Sequence, residues 1–213
     1  SASEYNDYFE AQTKNELMKN YGRFVEGWFD GAGSESFDWE RQIKLLKQLD
    51  SNLVIFNTPD IRWAGNEDCV IEETYWNPQI YTEDRLPDIK GQEIWWPKEA
   101  DCSLQQGAWF HKDTHRSKGG FTFLKDRYFK SVGRGGVFNI GISPDKRGLV
   151  DPQDSVALTE FGEFLETLYK YNLTLNQKTV PSNVRGTDER FAGSMVNDGN
   201  KNTHTQNLCT SSV

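Results

Sequence analysis

The feature that most constrains the fold is an alternation of helical and strand patterns in the first part of the chain. Residues 6–20 and 37–48 carry apolar side chains at helical spacing, whereas residues 24–29 and 53–56 are short apolar runs. A continuous apolar run of this length is typical of a strand buried on both faces. Because helix and strand alternate with short connections, the sequence predicts an α/β fold with parallel strands joined by right-handed crossovers.

Polar and small residues follow each of these two predicted strands. Asp30 and Gly31 come directly after the first strand, and Asn57 begins a polar turn after the second. The carboxyl ends of parallel strands meet at one edge of a sheet, where ligands bind in open sheets and in barrels alike. The sequence therefore places Asp30 at a candidate site, although an Asp-Gly pair after an apolar run is also a common turn.

Residues 58–118 form a less regular segment, rich in Trp, Pro, Gly and acidic residues. Irregular segments of this length are uncommon unless they serve a function, so we interpret it as site architecture with one strand near residues 94–96. A helix is predicted over residues 121–132 and a strand over residues 137–142. The α/β pattern thus continues beyond the irregular segment.

The last part of the chain changes in character. Asp151 as N-cap with a proline at the first helical position predicts a helix to residue 169. The Asn-, Thr-, Ser- and Gly-rich sequence that follows is typical of short strands and turns. We therefore predict two units, residues 1–172 with the α/β domain and residues 173–213 with a linker and the start of an all-β module.

Charge and cysteine content exclude several classes of function. The net charge is −8 and no block of five or more basic residues occurs, which argues against nucleic acid or an anionic membrane as partner. No apolar run approaches the roughly 20 residues of a membrane span. The spacing of Cys69, Cys102 and Cys209 fits no zinc site and leaves open both one disulfide and three free thiols. We expect no metal and no cofactor, and a sequon at Asn172 favours a secreted protein.

The chain is rich in aromatic residues, with seven Trp, eight Tyr and thirteen Phe among 213 residues. Flat aromatic faces suit the apolar faces of sugar rings, although these side chains could equally form the core. A retaining glycosidase needs two carboxyl groups about 5 to 5.5 Å apart, one ionised and one protonated. Asp30 is the candidate nucleophile, and Glu67 or Glu99 is its candidate partner, since nearby tryptophan would favour a protonated carboxyl.

Several motifs in order resemble the α-L-fucosidases of glycoside hydrolase family 29. The resemblance covers roughly residues 5–170. In chain order, the matching motifs are residues 5–9 (YNDYF), 28–32 (WFDGA), 60–67 (DIRWAGNE), 96–103 (WPKEADCS), 109–110 (WF), 131–136 (SVGRGG), 139–140 (NI), 144–145 (PD) and 148–149 (GL).

The resemblance implies the C-terminal portion of a TIM-like (β/α)8 barrel and retaining hydrolysis of terminal α-L-fucose. It places the nucleophile at Asp30. It places the acid/base at Glu67 in the branch that acts on α-1,3 and α-1,4 linkages, or at Glu99 in the branch of broader specificity. Because the motif of residues 62–67 is complete, we favour Glu67. The residues expected to contact substrate are Trp28, Arg62, Trp63, Trp96, Glu99 and Trp109.

The same resemblance implies a fucosylated glycan or oligosaccharide as substrate. The first strands of the family's barrel have no counterpart in this sequence, so we expect a second polypeptide to supply them. Two alternatives stay open: a non-catalytic carbohydrate-binding or remnant half barrel, and a retaining glycosidase with another sugar specificity.

Overall fold

The computed structural model describes residues 1–17, 19, 21–31, 36–107, 109–110, 112, 117–186, 189–200 and 202–203. Ala32 of the WFDGA motif and Cys209 lie outside these ranges. The chain divides into two compact units, Ser1–Phe161 and Gly162–Val213. The domain boundary near residue 172 stays a prediction.

The described helices agree with the predicted ones. They are α1 (Ala2–Gln12), α2 (Trp39–Leu49), α3 (Gly120–Ser131) and α4 (Pro152–Lys170). A capping box between Ser1 and Glu4 begins α1 several residues earlier than predicted, and a π-helical turn at Thr13–Leu17 follows it. The Asp38 side chain caps α2 by accepting a hydrogen bond from Arg41 N, and Asp151 accepts one from Gln153 N before α4.

The strands form two parallel groups and one antiparallel hairpin. They are β1 (Glu26–Gly27), β2 (Val54–Ile55), β3 (Arg62–Trp63), β4 (Pro78–Ile80), β5 (Glu93–Trp95), β6 (Lys98–Ser103) and β7 (Val137–Gly141). Strand β1 pairs in parallel with β2, β6 lies between β3 and β7 in a parallel sheet, and β4 pairs antiparallel with β5. The parallel pairing predicted for the first two strands is confirmed.

Strand β6 is a strand that the sequence pattern did not predict. The prediction for this segment was one strand near residues 94–96, which corresponds to β5. Strand β6 has the sequence Lys-Glu-Ala-Asp-Cys-Ser, which is too polar to indicate a buried strand, yet its last five residues are buried. Burial of these polar side chains requires partners, and the hydrogen bonds of Glu99 and Asp101 described below supply them.

Apolar clusters fix the helices against the strands. One joins α2 to β2 and contains Ile43, Leu46, Leu53 and Ile55. Another joins α3 and α4 to the chain after β6 and contains Leu104, Leu124 and Ala157. Full burial of a leucine or isoleucine side chain contributes about 1.5 to 3 kcal/mol, so these clusters hold the strand ends in register.

The described part of residues 173–213 contains short 3₁₀ turns at Glu189–Phe191 and Gly193–Val196, and no strand. The all-β module therefore stays a prediction. Among the described residues, no helix combines the length and the apolar character needed to cross a membrane.

A disulfide joins Cys69 to Cys102, which settles one alternative that the sequence left open. Both residues are fully buried. Cys102 lies on β6, and Cys69 lies on the loop that follows β3. The bond therefore ties this loop covalently to the central strand of the sheet.

Reduction of this disulfide is expected to lower the free energy of unfolding by about 3 to 4 kcal/mol, because the bond closes a loop between residues that are 33 apart. Denaturant unfolding with and without a dithiol reductant measures the change. In the double variant Cys69→Ala, Cys102→Ala the reductant should have no further effect. An unfolding midpoint of the unsubstituted protein that does not move on reduction contradicts the prediction.

Candidate active site

A cavity of about 580 Å³ lies among the carboxyl ends of strands from both parallel groups. Residues that follow β1, β2 and β3 line it, together with residues on β6 and β7. Five of the eight predicted site residues are among its lining: Trp28, Asp30, Trp63, Glu67 and Trp109. The strand-end position that the sequence indicated for Asp30 is therefore the position of a cavity.

Packing on both sides of the chain presents Asp30 to the cavity. Phe29 packs among aromatic side chains of α1 and α2, and Trp28 stacks on Phe56 with ring centroids 4.1 Å apart. These two neighbouring side chains point to opposite sides, as in an extended chain. Gly31 follows with φ of +68°, a value that favours glycine, so the chain turns directly after Asp30.

Glu67 reaches the cavity from the loop after β3. The backbone N–H groups of Ala64 and Cys69 donate to carbonyl oxygens of β6, over 2.8 and 3.1 Å. Asn66 Nδ2 donates to a carbonyl oxygen farther along the same loop, over 2.9 Å. Together with the disulfide at Cys69, these bonds hold the loop on both sides of Glu67, while the Glu67 side chain remains exposed.

Three tryptophans leave part of their surface open at the cavity, with exposed fractions of 38% for Trp28, 40% for Trp63 and 44% for Trp109. Trp63 Nε1 donates a hydrogen bond to Asp101 Oδ1 over 2.6 Å. The Trp109 ring packs on the backbone of Gly141, where a Cβ atom would lie 2.8 Å from the ring. The indole positions are therefore fixed by polar and steric contacts.

The Gly141→Ala substitution is expected to displace the Trp109 indole and to raise KM for a sugar substrate roughly tenfold, since overpacking typically costs about 1 to 3 kcal/mol. Steady-state kinetics of the natural protein measures the effect. The control is Gly162→Ala, because Gly162 lies on α4 and an added methyl group there would have no atom within 4 Å apart from its chain neighbours and the backbone of its own helix. Equal KM values for Gly141→Ala and the unsubstituted protein would contradict the assigned contact.

The other three predicted site residues lie outside the cavity lining. Trp96 is buried and its Nε1 donates to a backbone carbonyl over 2.6 Å, while the Arg62 guanidinium lies over its ring at 5.1 Å. Glu99 is fully buried, and its Oε1 accepts hydrogen bonds from Trp28 Nε1 over 2.8 Å and from Asn139 Nδ2 over 2.9 Å. Arg62 and Trp96 thus pack against each other outside the cavity lining. Glu99 does not line the cavity, but its two hydrogen-bond donors, Trp28 and Asn139, do.

Six lining residues were absent from the predicted set: Phe56, Asn57, Asp101, Phe110, Asn139 and Gly141. Asp101 carries a signal that could have identified it, because it lies two residues after Glu99 and therefore on the same face of a strand. Burial raises the pKa of the Asp101 carboxyl, and the negative charges of Glu67 and Glu99 add to this, against the hydrogen bond from Trp63. Asp101 is thus a third carboxyl group at the cavity.

No family profile matches the chain, but individual proteins do. A protein of Oryza sativa subsp. japonica with the provisional name alpha-L-fucosidase 1 is 35% identical in an alignment of 210 residues that covers 90% of this chain and 40% of that protein. Alpha-L-fucosidase 1 of Arabidopsis thaliana is 31% identical in an alignment of 200 residues that covers 86% of this chain and 39% of that protein.

A solved structure gives the same result. The crystal structure of SpGH29 superposes with a TM-score of 0.76 at 29% sequence identity, over 95% of this chain and 48% of that one. The chain therefore spans about two fifths of the curated relatives and about half of this structure. With these likenesses and the ordered motifs, the chain belongs to the α-L-fucosidases of glycoside hydrolase family 29 and matches a part of their length.

Proposed function

We propose that this chain carries the catalytic carboxyl groups of a retaining exo-α-L-fucosidase, with Asp30 as nucleophile and Glu67 as acid/base. The observation that carries the proposal is that Asp30 and Glu67 come from different strand ends and line one cavity with three tryptophans. Both relatives named above are α-L-fucosidases by name, which supports fucose as the sugar.

The arrangement supports a double displacement. The Asp30 carboxylate attacks the anomeric carbon of fucose, and the glycosidic C–O bond breaks while Glu67 transfers its proton to the leaving oxygen. Glu67 then accepts a proton from water, whose oxygen attacks the same carbon and releases Asp30 and free fucose. Each carboxyl group returns to its starting state at the end of the cycle.

The surroundings of the two candidate glutamates support Glu67 over Glu99 as the acid/base. Glu67 is exposed at the cavity, where a leaving oxygen can approach within hydrogen-bond distance. Glu99 is fully buried, and its Oε1 already accepts two hydrogen bonds. We accordingly favour the branch of the family that acts on α-1,3 and α-1,4 linked fucose in glycans or oligosaccharides.

We further propose that the chain forms the C-terminal portion of a TIM-like barrel whose other strands come from a second polypeptide. The parallel groups β1–β2 and β3–β6–β7 and the likeness to SpGH29 support this architecture. Among the described strands β1 pairs only with β2, and Val25 beside it is 83% exposed. An unpaired edge of this kind favours pairing with another strand.

The Cys69–Cys102 disulfide supports a secreted protein, because disulfides persist in oxidising compartments. The Asn172 sequon supports the same location.

The test of this function is fucose release. The assay substrates are an aryl α-L-fucoside and fucosylated oligosaccharides. The samples are the natural protein, isolated without denaturation, and this chain with and without any copurifying polypeptide. Intact mass of the isolated material identifies a second polypeptide. Fucose release by the natural protein supports the proposal. Absence of release in every form contradicts it, and release of another sugar from a panel of aryl glycosides assigns a different specificity.

A further inference from the structure

Glu26 and Glu99 form a carboxyl pair behind the cavity. Glu26 lies half-buried on β1, Glu99 lies fully buried on β6, and their carboxyl groups lie close enough to interact. Glu26 Oε1 and Glu99 Oε2 are both buried, and within the described part of the chain no N–H or O–H group donates to either atom. Because an ionised carboxyl group only accepts hydrogen bonds, one member of the pair must carry a proton.

The contacts of Glu99 favour it as the ionised member. Its Oε1 accepts hydrogen bonds from Trp28 Nε1 and Asn139 Nδ2, and an ionised acceptor makes such bonds roughly twice as strong as a neutral one. Both donors line the cavity. The pair is therefore connected to the site through two side chains, one of which lies two residues before Asp30.

We propose that Glu26 and Glu99 share a single proton, carried by Glu26, and that this pair positions Trp28 and Asn139 for sugar binding. The sharing of the proton is independent of the proposed function, whereas the benefit to sugar binding rests on it. Neither glutamate touches the cavity, so both are positioning residues. The proton stays within the pair during the reaction cycle, and the pair takes no part in the proton transfers of Glu67.

The charges around the pair favour one bound proton. Among the described residues, the titratable groups that interact with Glu99 are carboxyls, namely Glu26 on β1 and Asp101 on β6, and Asp101 also interacts with Glu67. Among the described residues no lysine, arginine or histidine forms an ion pair with Glu26 or Glu99. Burial first, and then the hydrogen bond and charge of Glu99, raise the pKa of Glu26 to about 8.

This raised pKa determines the direction of the pH dependence. The folded protein keeps the Glu26 proton up to about pH 8, whereas an unfolded glutamate loses it at much lower pH. The contribution of the pair to stability is therefore present at acidic pH. It is lost as the pH rises from the ordinary glutamate pKa of 4.5 to the raised pKa of about 8. Above about pH 8 the two neighbouring carboxylates repel each other, and the hydrogen bond from Trp28 to Glu99 weakens.

The first test observes the proton directly. In the natural protein labelled with ¹³C at glutamate carboxyl carbons, NMR should show one glutamate that titrates near pH 8. Its resonance should be absent in Glu26→Gln, which keeps an N–H donor for Glu99 but cannot titrate. It should persist in Glu93→Gln, the matched control, because Glu93 is exposed on β5. A spectrum in which no glutamate titrates above pH 7 overturns the shared proton, whether or not the protein hydrolyses a fucoside.

The second test observes positioning without any sugar. The Trp28 indole N–H resonance, assigned by its loss in Trp28→Phe, should shift with the same midpoint in the unsubstituted protein and in Glu93→Gln. It should stay constant with pH in Glu26→Gln. If the Trp28 resonance does not shift with pH, or if it shifts equally in Glu26→Gln, the positioning role is overturned.

With an aryl fucoside as substrate, Glu26→Gln should keep KM within about threefold. Glu26→Ala should raise it about tenfold or more, the size expected for a lost hydrogen bond to a charged group. Equal KM values in these two variants also contradict the positioning role. If Glu26→Ala fails to fold, the two NMR titrations of Glu26→Gln still decide. A protein that binds no fucoside refutes the proposed function while leaving both titrations as valid tests of the pair.

Discussion

Replacing Asp30 with alanine is expected to lower kcat/KM for every α-L-fucoside by at least about a thousandfold, because removal of a nucleophile abolishes the covalent step. The loss should be similar for all leaving groups, since the first step needs the nucleophile whether or not the leaving oxygen needs a proton. The measurement is the initial rate of fucose release by the natural protein, with product stereochemistry followed by NMR. The unsubstituted protein should release fucose first as the α anomer, as a retaining mechanism requires.

Two controls separate this effect from misfolding. Asp88→Asn alters an exposed aspartate on the 3₁₀ turn Pro87–Ile89, outside the cavity lining, and should leave kcat/KM unchanged. Azide should restore activity to Asp30→Ala by attacking the vacated face, giving a fucosyl azide of inverted configuration. Activity of Asp30→Ala equal to that of the unsubstituted protein refutes the assignment.

Replacing Glu67 with alanine is expected to lower the rate by an amount that depends on the leaving group, unlike the replacement of Asp30. Loss of a general acid costs about a hundredfold to ten-thousandfold when the leaving oxygen needs a proton, as in an oligosaccharide. An aryl fucoside with an acidic phenol needs no proton on its leaving oxygen, so the rate of its first step should fall much less. The rates on both substrate classes, measured with and without azide, test this contrast.

Azide distinguishes the two glutamates. It should accelerate Glu67→Ala and give a fucosyl azide of retained configuration, because the anion replaces water on the face where Glu67 acts as base. The matched variant Glu99→Ala should show no such rescue, since Glu99 is buried behind Trp28 and Asn139. Rescue confined to Glu99→Ala would reverse the acid/base assignment.

The parts of the fold that could be predicted are those in which local pattern and burial agree. The apolar residues 53–56 predict a buried strand and β2 lies within them, and Asp151 followed by proline predicts the beginning of α4. The position of Asp30 at a strand end follows from the same pattern, because parallel strands direct their carboxyl ends to one edge.

Strand β6 and the Glu26–Glu99 pair could not be predicted because their burial depends on partners that are distant in sequence. Glu99 is buried since Trp28 and Asn139, which are 71 and 40 residues away, donate to it. In the sequence alone, Glu26 and Glu99 resemble glutamates of a solvent-exposed strand or loop. The disulfide is of the same kind, because three cysteines allow several pairings and only the approach of the loop to β6 selects one.

The parallel groups β1–β2 and β3–β6–β7 share no continuous strand ladder in the described part of the chain, although isolated bridges join Phe56 and Thr58 to Ile61. The cavity lies where the two groups meet. Glu99 Oε1 joins them by accepting from Trp28, just beyond β1, and from Asn139 on β7. A sugar bound there, as we propose, would touch side chains from both groups and would so act as a non-covalent cross-link between two sheets. Binding of the sugar would then raise the free energy of unfolding of the domain, by an amount set by the affinity and the concentration of the sugar.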